Sequence, residues 1–117
     1  MRKVYICNLN SKVDLVKASD FSPKVIPLTN GHIRIDTPNH IYNLIRKHLA
    51  ESNEDDYLLL SGNAAVAGII SLLWMMKHGI VHFLVWKSYK GAYEQLTIPS
   101  FDLLKTLENE PNGSKEF

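Results

Sequence analysis

The chain has 117 residues, 45% of them apolar and 21% charged, which supplies one domain with a core of its own and leaves no room for two. Its formal net charge of +1 gives no basic footprint for duplex nucleic acid or an anionic membrane, and ordinary glycine and proline contents exclude disordered and collagen-like classes. The one cysteine, Cys7, has no partner for an internal disulfide, and no Cys/His cluster has zinc-site spacing, so the sequence calls for no metal or cofactor and suits a reducing compartment.

Met1-Arg2-Lys3 is basic, but the apolar run behind it stops at Asn8, too short for a signal peptide, and a cytoplasmic location is expected. Val4 to Cys7 predicts a first core strand, apolar on both faces, that empties into Asn8-Leu9-Asn10-Ser11. Asp14 to Phe21 allows one or two amphipathic turns. Lys24 to Leu28, Thr29-Asn30-Gly31 and His32 to Asp36 predict an antiparallel hairpin, with Asn-Gly at the turn and Pro27 confining its strand to an edge. Thr37-Pro38 then opens a helix running to about Ser52, with Ile41, Leu44, Ile45, His48 and Leu49 on one face.

Tyr57 to Leu60 predicts the second core strand. The stretch from Tyr57 to Met76 carries no charge over a length that spans a bilayer, but Ser61-Gly62-Asn63 interrupts it with groups costly in lipid and ordinary in a strand-to-helix turn. No membrane segment is therefore expected. Ala64 to His78 predicts a helix apolar nearly all round and buried on several sides, with Gly68 in close approach to the sheet and Gly79 as a left-handed cap. Ile80 to Trp86 is the third core strand, Lys90-Gly91 turns the chain into an edge strand from Tyr93 to Ile98, and Pro99 ends it. Ser100 starts a short helix through Leu107, and Glu108 to Phe117 reads as a frayed polar tail. The expected architecture is a single α/β domain over residues 1–107, a Rossmann-like sandwich with parallel central strands and antiparallel edge hairpins.

In open parallel sheets ligands bind beyond the carboxyl ends of the strands, where the strand order reverses. Those ends hold Asn8, Asn10 and Ser11, then Ser61, Gly62 and Asn63, then Lys87, Ser88, Tyr89 and Lys90. Ser61-Gly62-Asn63 runs straight into a helix, where free amides and the helix dipole favour a phosphate or carboxylate; the same residues also suit a plain helix cap. Lys87 and Lys90 beside Tyr89 and Tyr93 can pair phosphates and stack a base, or the lysines guard an edge strand as solvated groups. His32 and His40 flank Asp36 closely enough for an acid–base role, whereas His48 reads as a boundary residue and His82 as a hydrogen-bonded core residue. Trp74, Met75 and Met76 either exceed what one sheet face can bury, and then mark a subunit interface, or belong to a simple core.

The layout from Lys3 to Ile98 resembles small α/β proteins encoded by tailed bacteriophages, through Val25-Ile26-Pro27-Leu28-Thr29-Asn30-Gly31, Asp56-Tyr57-Leu58-Leu59-Leu60-Ser61-Gly62-Asn63 and His78-Gly79-Ile80-Val81-His82-Phe83-Leu84-Val85-Trp86. That resemblance implies no particular activity. Asp55 to Trp86 is also similar in shape to the CRISPR-associated Rossmann-fold domains that bind cyclic oligoadenylates, whose strand runs into a Thr-Gly-Gly-Thr-Lys turn; here the turn is Ser61-Gly62-Asn63-Ala64-Ala65, matching at the hydroxyl and one glycine and lacking the lysine. Three readings follow. The first is a small nucleotide-binding protein that sequesters a host signalling nucleotide in the host cytoplasm, with Asn8, Asn10, Ser61, Gly62, Asn63, Lys87 and Tyr89 at the ligand. The second is a non-enzymatic homodimeric module, or a binder of a host protein, working through Trp74, Met75 and Met76. The third is a metal-independent phosphodiesterase using a histidine or Lys87.

Overall fold

A computed structural model describes residues 1–35 and 37–109, without the Pro38 side chain. In chain order the elements are β1 (Val4–Ile6), α1 (Leu15–Ser19), β2 (Val25–Pro27), α2 (Pro38–Glu51), β3 (Tyr57–Leu59), α3 (Ala64–His78), β4 (Ile80–Lys87), β5 (Ala92–Pro99) and α4 (Ser100–Asn109). The strands form one sheet of order β2-β1-β3-β4-β5, in which the first four are parallel and β5 returns antiparallel to β4. The expected α/β sandwich with a parallel centre is therefore present, with one antiparallel edge pair.

The short central strands are buried on both sides because their residues alternate between two apolar clusters. Tyr5, Cys7, Leu58, Val81 and Phe83 face α2 and α3, where Ile41, Ile45 and Leu49 meet Val66, Ile70 and Trp74. Val4, Ile6, Tyr57, Leu59 and Leu84 face the other way, under Ala18 of α1 and beside Tyr93 of β5. At about 2 kcal/mol per fully buried large side chain, the α2–α3 face contributes more of the docking energy than the five-residue α1.

The N-terminal hairpin does not form. Thr29-Asn30-Gly31 does turn, with Gly31 at φ 69°, but Leu9 and Asn30 make a parallel bridge that prolongs the β1–β2 ladder. Leu9 N–H donates to Thr29 O at 2.9 Å and Gly31 N–H to Leu9 O at 3.0 Å, so the loop after β1 takes the hydrogen bonds that a returning strand would need. His32 to Ile35 form no strand, and β2 stands as the parallel edge that Pro27 tolerates. Asp36, named with His32 and His40 as an acid–base group, lies outside the described residues, and both histidines are exposed.

Several helix expectations need correction. Thr37 holds the position before α2 in extended conformation, yet its hydroxyl makes no capping bond, and Leu44 turns out to solvent. Only Val66, Ile70 and Trp74 of α3 are buried; Leu72 and Met76 are 65% and 81% exposed, because α3 covers the sheet with one face and no described residue covers the other. Gly68 sits on that open side, and a Cβ there would meet no atom within 4 Å, so no close approach requires it. Gly79 does end α3 at φ 72°, in the left-handed region expected of it. The last helix includes Glu108 and Asn109, assigned above to a tail, and residues 110–117 of that tail lie outside the described ones.

Candidate functional site

The strand order reverses between β1, whose chain passes to β2, and β3, whose chain passes to β4. The two loops that leave this point are tied together by one hydroxyl. Ser61 Oγ donates to Asn8 O at 2.6 Å and accepts from Asn8 N–H at 3.0 Å, satisfying both backbone groups of a residue that is only 7% exposed. The Asn8 side-chain amide donates to Gly31 O at 2.8 Å, and the Thr29 hydroxyl proton is shared between Cys7 O at 2.6 Å and Asn8 Oδ1 at 3.0 Å. Gly62 closes the tie. It lies at φ 81°, and a Cβ on it would stand 2.7 Å from Asn8 Cβ, so both conformation and space demand glycine.

Beside this tie, on the α1 side of the sheet, lies a cleft of about 420 Å³. Asn10, Ser11, Lys12 and Val13 line it from the loop after β1, Leu60, Ser61 and Gly62 from the loop after β3, and Trp86 and Tyr93 from the hairpin. Trp86 opposes Tyr93 in the β4–β5 register, their rings meet edge to face with centroids 5.0 Å apart, and Trp86 remains 42% exposed. The Tyr93 hydroxyl accepts from Asp14 N–H at 3.1 Å and so anchors the loop that carries Lys12. Asn10 shapes the same loop, its Oδ1 accepting from Lys12 N–H at 2.9 Å. Among the lining residues Lys12 is the charged one, so the cleft is electrostatically suited to an anion.

The sequence-derived candidates divide accordingly. Asn10, Ser61 and Gly62 line the cleft, while Asn8 lies beneath it as part of the tie. Asn63 points elsewhere, its side chain accepting from Ala65 N–H as the cap of α3. Strand alternation puts Lys87 on the sheet face of Phe83 and Val85, opposite Trp86. Tyr89 is 79% exposed in the β4–β5 turn, under the Lys90 ammonium. Tyr93, named from the sequence as a stacking ring beside Lys87 and Lys90, lines the cleft, whereas Lys12, Val13, Leu60 and Trp86 lie outside the residues singled out from the sequence; the pairing of Trp86 with Tyr93 follows from the register of the hairpin.

The other chemical candidates have structural partners. Cys7 is buried at the end of β1, and burial pushes its thiol up to about 12, far from a nucleophile's range. His82 bonds Thr97 Oγ1 at 2.9 Å across the β4–β5 pair and is half-buried, not in the core. His48 tucks against Tyr5, as a boundary residue does. Trp74 is fully buried, edge-on to Tyr5 at 5.0 Å, so it cannot share an exposed patch with Met76; consecutive helical residues point about 100° apart. Met75 is partly buried against the same core. Among the described residues no cluster of His, Cys, Asp and Glu is arranged to hold a metal, and no helix is long and apolar enough to cross a membrane.

No curated protein and no solved structure matches the chain. A family model does, over residues 2–100, a span that contains all five strands and every residue lining the cleft. The chain belongs to the Phage Pam3 gp32-like protein family.

Proposed function

We propose that the cleft beside the β1–β3 tie binds a small nucleotide, and that the protein works by holding it. The observation that carries this reading is the meeting, in one cleft at the point of strand reversal, of the half-exposed Trp86 indole with the Lys12 ammonium. An indole face takes a base by stacking, and an ammonium pairs a phosphate, with the Asn10 amide and the Ser11 hydroxyl as neutral partners. The cleft volume falls within the roughly 300–1,000 Å³ typical of small-ligand sites. The lining side chains supply no histidine and no carboxylate, which favours retention of the ligand over the phosphodiesterase alternative. For a chain of a phage family, sequestration of a host signalling nucleotide is the use that such retention serves.

Trp86 gives the test its readout, because the second tryptophan, Trp74, is fully buried. Mononucleotides, dinucleotides and cyclic oligonucleotides are titrated while tryptophan emission and the melting temperature are followed. A ligand should quench Trp86 and raise the melting temperature; both responses should fall at least tenfold in affinity in Lys12→Ala, and in Trp86→Leu, which lacks the reporting indole, the thermal shift should fall likewise, while Asn63→Ala and Lys87→Ala bind as the parent does. No quenching and no thermal shift across the panel overturns the proposal. Equal loss in Lys87→Ala would move the site to the opposite face of the sheet.

A further inference from the structure

α4 buries none of its residues, although it carries a stripe of large apolar side chains. Phe101, Leu103, Leu104 and Leu107 are 70%, 52%, 58% and 63% exposed and fall within one side of the helix. A ten-residue helix is marginal in water unless its apolar face is covered. A second uncovered surface adjoins it. The Ser100 N–H and hydroxyl both donate to Gly79 O, at 2.8 and 2.9 Å, which fastens the start of α4 to the end of α3, within a turn of the exposed Met76 and two turns of the exposed Leu72.

We infer that α4 and the outward face of α3 form a self-association surface, and that its occupant is the same surface of a second copy of this chain. The six apolar side chains together present on the order of 750 Å², close to the roughly 800 Å² that each partner contributes to a standard interface. An isologous contact covers two such patches with one another and requires no further surface. Charge permits it: the chain's formal net charge of +1 sets little long-range repulsion between copies. A bilayer is a poorer occupant, since the polar side of α4 offers Asp102 and Glu108 against the single Lys105, the reverse of the cationic face that anionic lipid selects. α3 packs on the side of the sheet away from the cleft, and no residue of α3 or α4 lines the cleft, so the inference stands apart from nucleotide binding.

The experiment is sedimentation equilibrium of the full chain over a wide concentration range, with amide exchange of α4 alongside. The parent should sediment as a dimer of the 13.3 kDa chain, with α4 amides more protected at high concentration than at low. Leu104→Glu with Leu107→Glu, and separately Met76→Glu, should give monomers whose far-ultraviolet circular dichroism stays close to the parent's, because all three positions are exposed in one copy. A parent that is monomeric at every concentration overturns the inference, whether α4 is then found folded on its own chain or bound to vesicles. A dimer that survives both sets of substitutions overturns it equally.

Discussion

Two polar clusters lie on either side of β1, and they treat their hydrogen bonds in opposite ways. At the carboxyl end, Asn8, Thr29, Gly31 and Ser61 exchange bonds until the backbone of Asn8 is fully paired. Between the sheet and the α2–α3 layer, Tyr5 Oη, His48 Nδ1 and Trp74 Nε1 are buried with no hydrogen-bond partner among the described residues. The first cluster joins the loop after β1 to the loop after β3 at a point where side chains and not a ladder make the bonds, so its polar atoms are what the position requires. The second fills volume: the rings of Tyr5 and Trp74 pack edge to face, and their polar atoms come along with the ring bodies. A polar residue near a strand end is thus as readily spoken for by the fold as by a ligand, which is why the cleft itself falls to Lys12, Trp86 and their neighbours.

The sharpest way to break this contrast is at Gly62. Alanine there must adopt a left-handed conformation and place Cβ against Asn8, so Gly62→Ala should cost about 3 kcal/mol or more, read from urea denaturation. Ser61→Ala comes next. It leaves the N–H and carbonyl of Asn8 without their partner at a nearly buried site, for a loss of about 2 kcal/mol with a parent-like denaturant slope. If Ser61→Ala proves neutral, the tie is not what holds the loops, and Ser61 belongs to the ligand instead. Gly68, six residues on, is the control: its Cβ would meet nothing, so Gly68→Ala should raise stability by about 1 kcal/mol through helix propensity alone.

Much of the fold was legible because β1 and β3 are unbroken apolar runs ended by polar residues, because β4 is apolar but for His82 until Lys87, and because Gly79 and Pro99 stop their elements where they stand. The misread hairpin shows the limit. Asn30-Gly31 signals a tight turn, but whether the chain then pairs with itself or with the loop after β1 depends on Leu9, a residue twenty-one positions upstream. The same limit applies at the site. The strand ends could be located from topology, whereas Asn8, Ser61 and Gly62, read from the sequence as ligand groups, direct their hydrogen bonds and close contacts at one another. Trp86 belongs to a run that the sequence marks as plain strand, and only its register against Tyr93 turns the two rings into a wall of the cleft.

The second cluster predicts small effects. Tyr5→Phe removes an oxygen that no described residue meets at hydrogen-bond distance and whose polar neighbour is the Lys3 ammonium, while keeping the ring on Trp74, so stability should stay within about 0.5 kcal/mol of the parent by thermal denaturation. A loss as large as that of Ser61→Ala would show that the hydroxyl is engaged after all and would erase the distinction between the clusters.

The edge of the same cluster carries the smallest effect, and it depends on pH. His78 lies against Trp74 and its Nε2 is 2.8 Å from Ser52 Oγ. Burial first, and then the neighbouring Lys77 ammonium, lower its pKa from the ordinary 6.5, with Asp56 and Glu54 pulling weakly the other way. As pH falls through 6.5 the unfolded chain therefore takes up this proton before the folded one does, so the unfolded state gains and stability declines until the folded histidine is protonated too. Above 6.5 both states are neutral there and the dependence vanishes. Melting temperatures measured between pH 8 and pH 5 should accordingly be flat and then fall, and in His78→Gln the fall through the histidine range should shrink. An unchanged slope in that variant would place the proton uptake elsewhere and leave the Trp74 side of the core indifferent to pH.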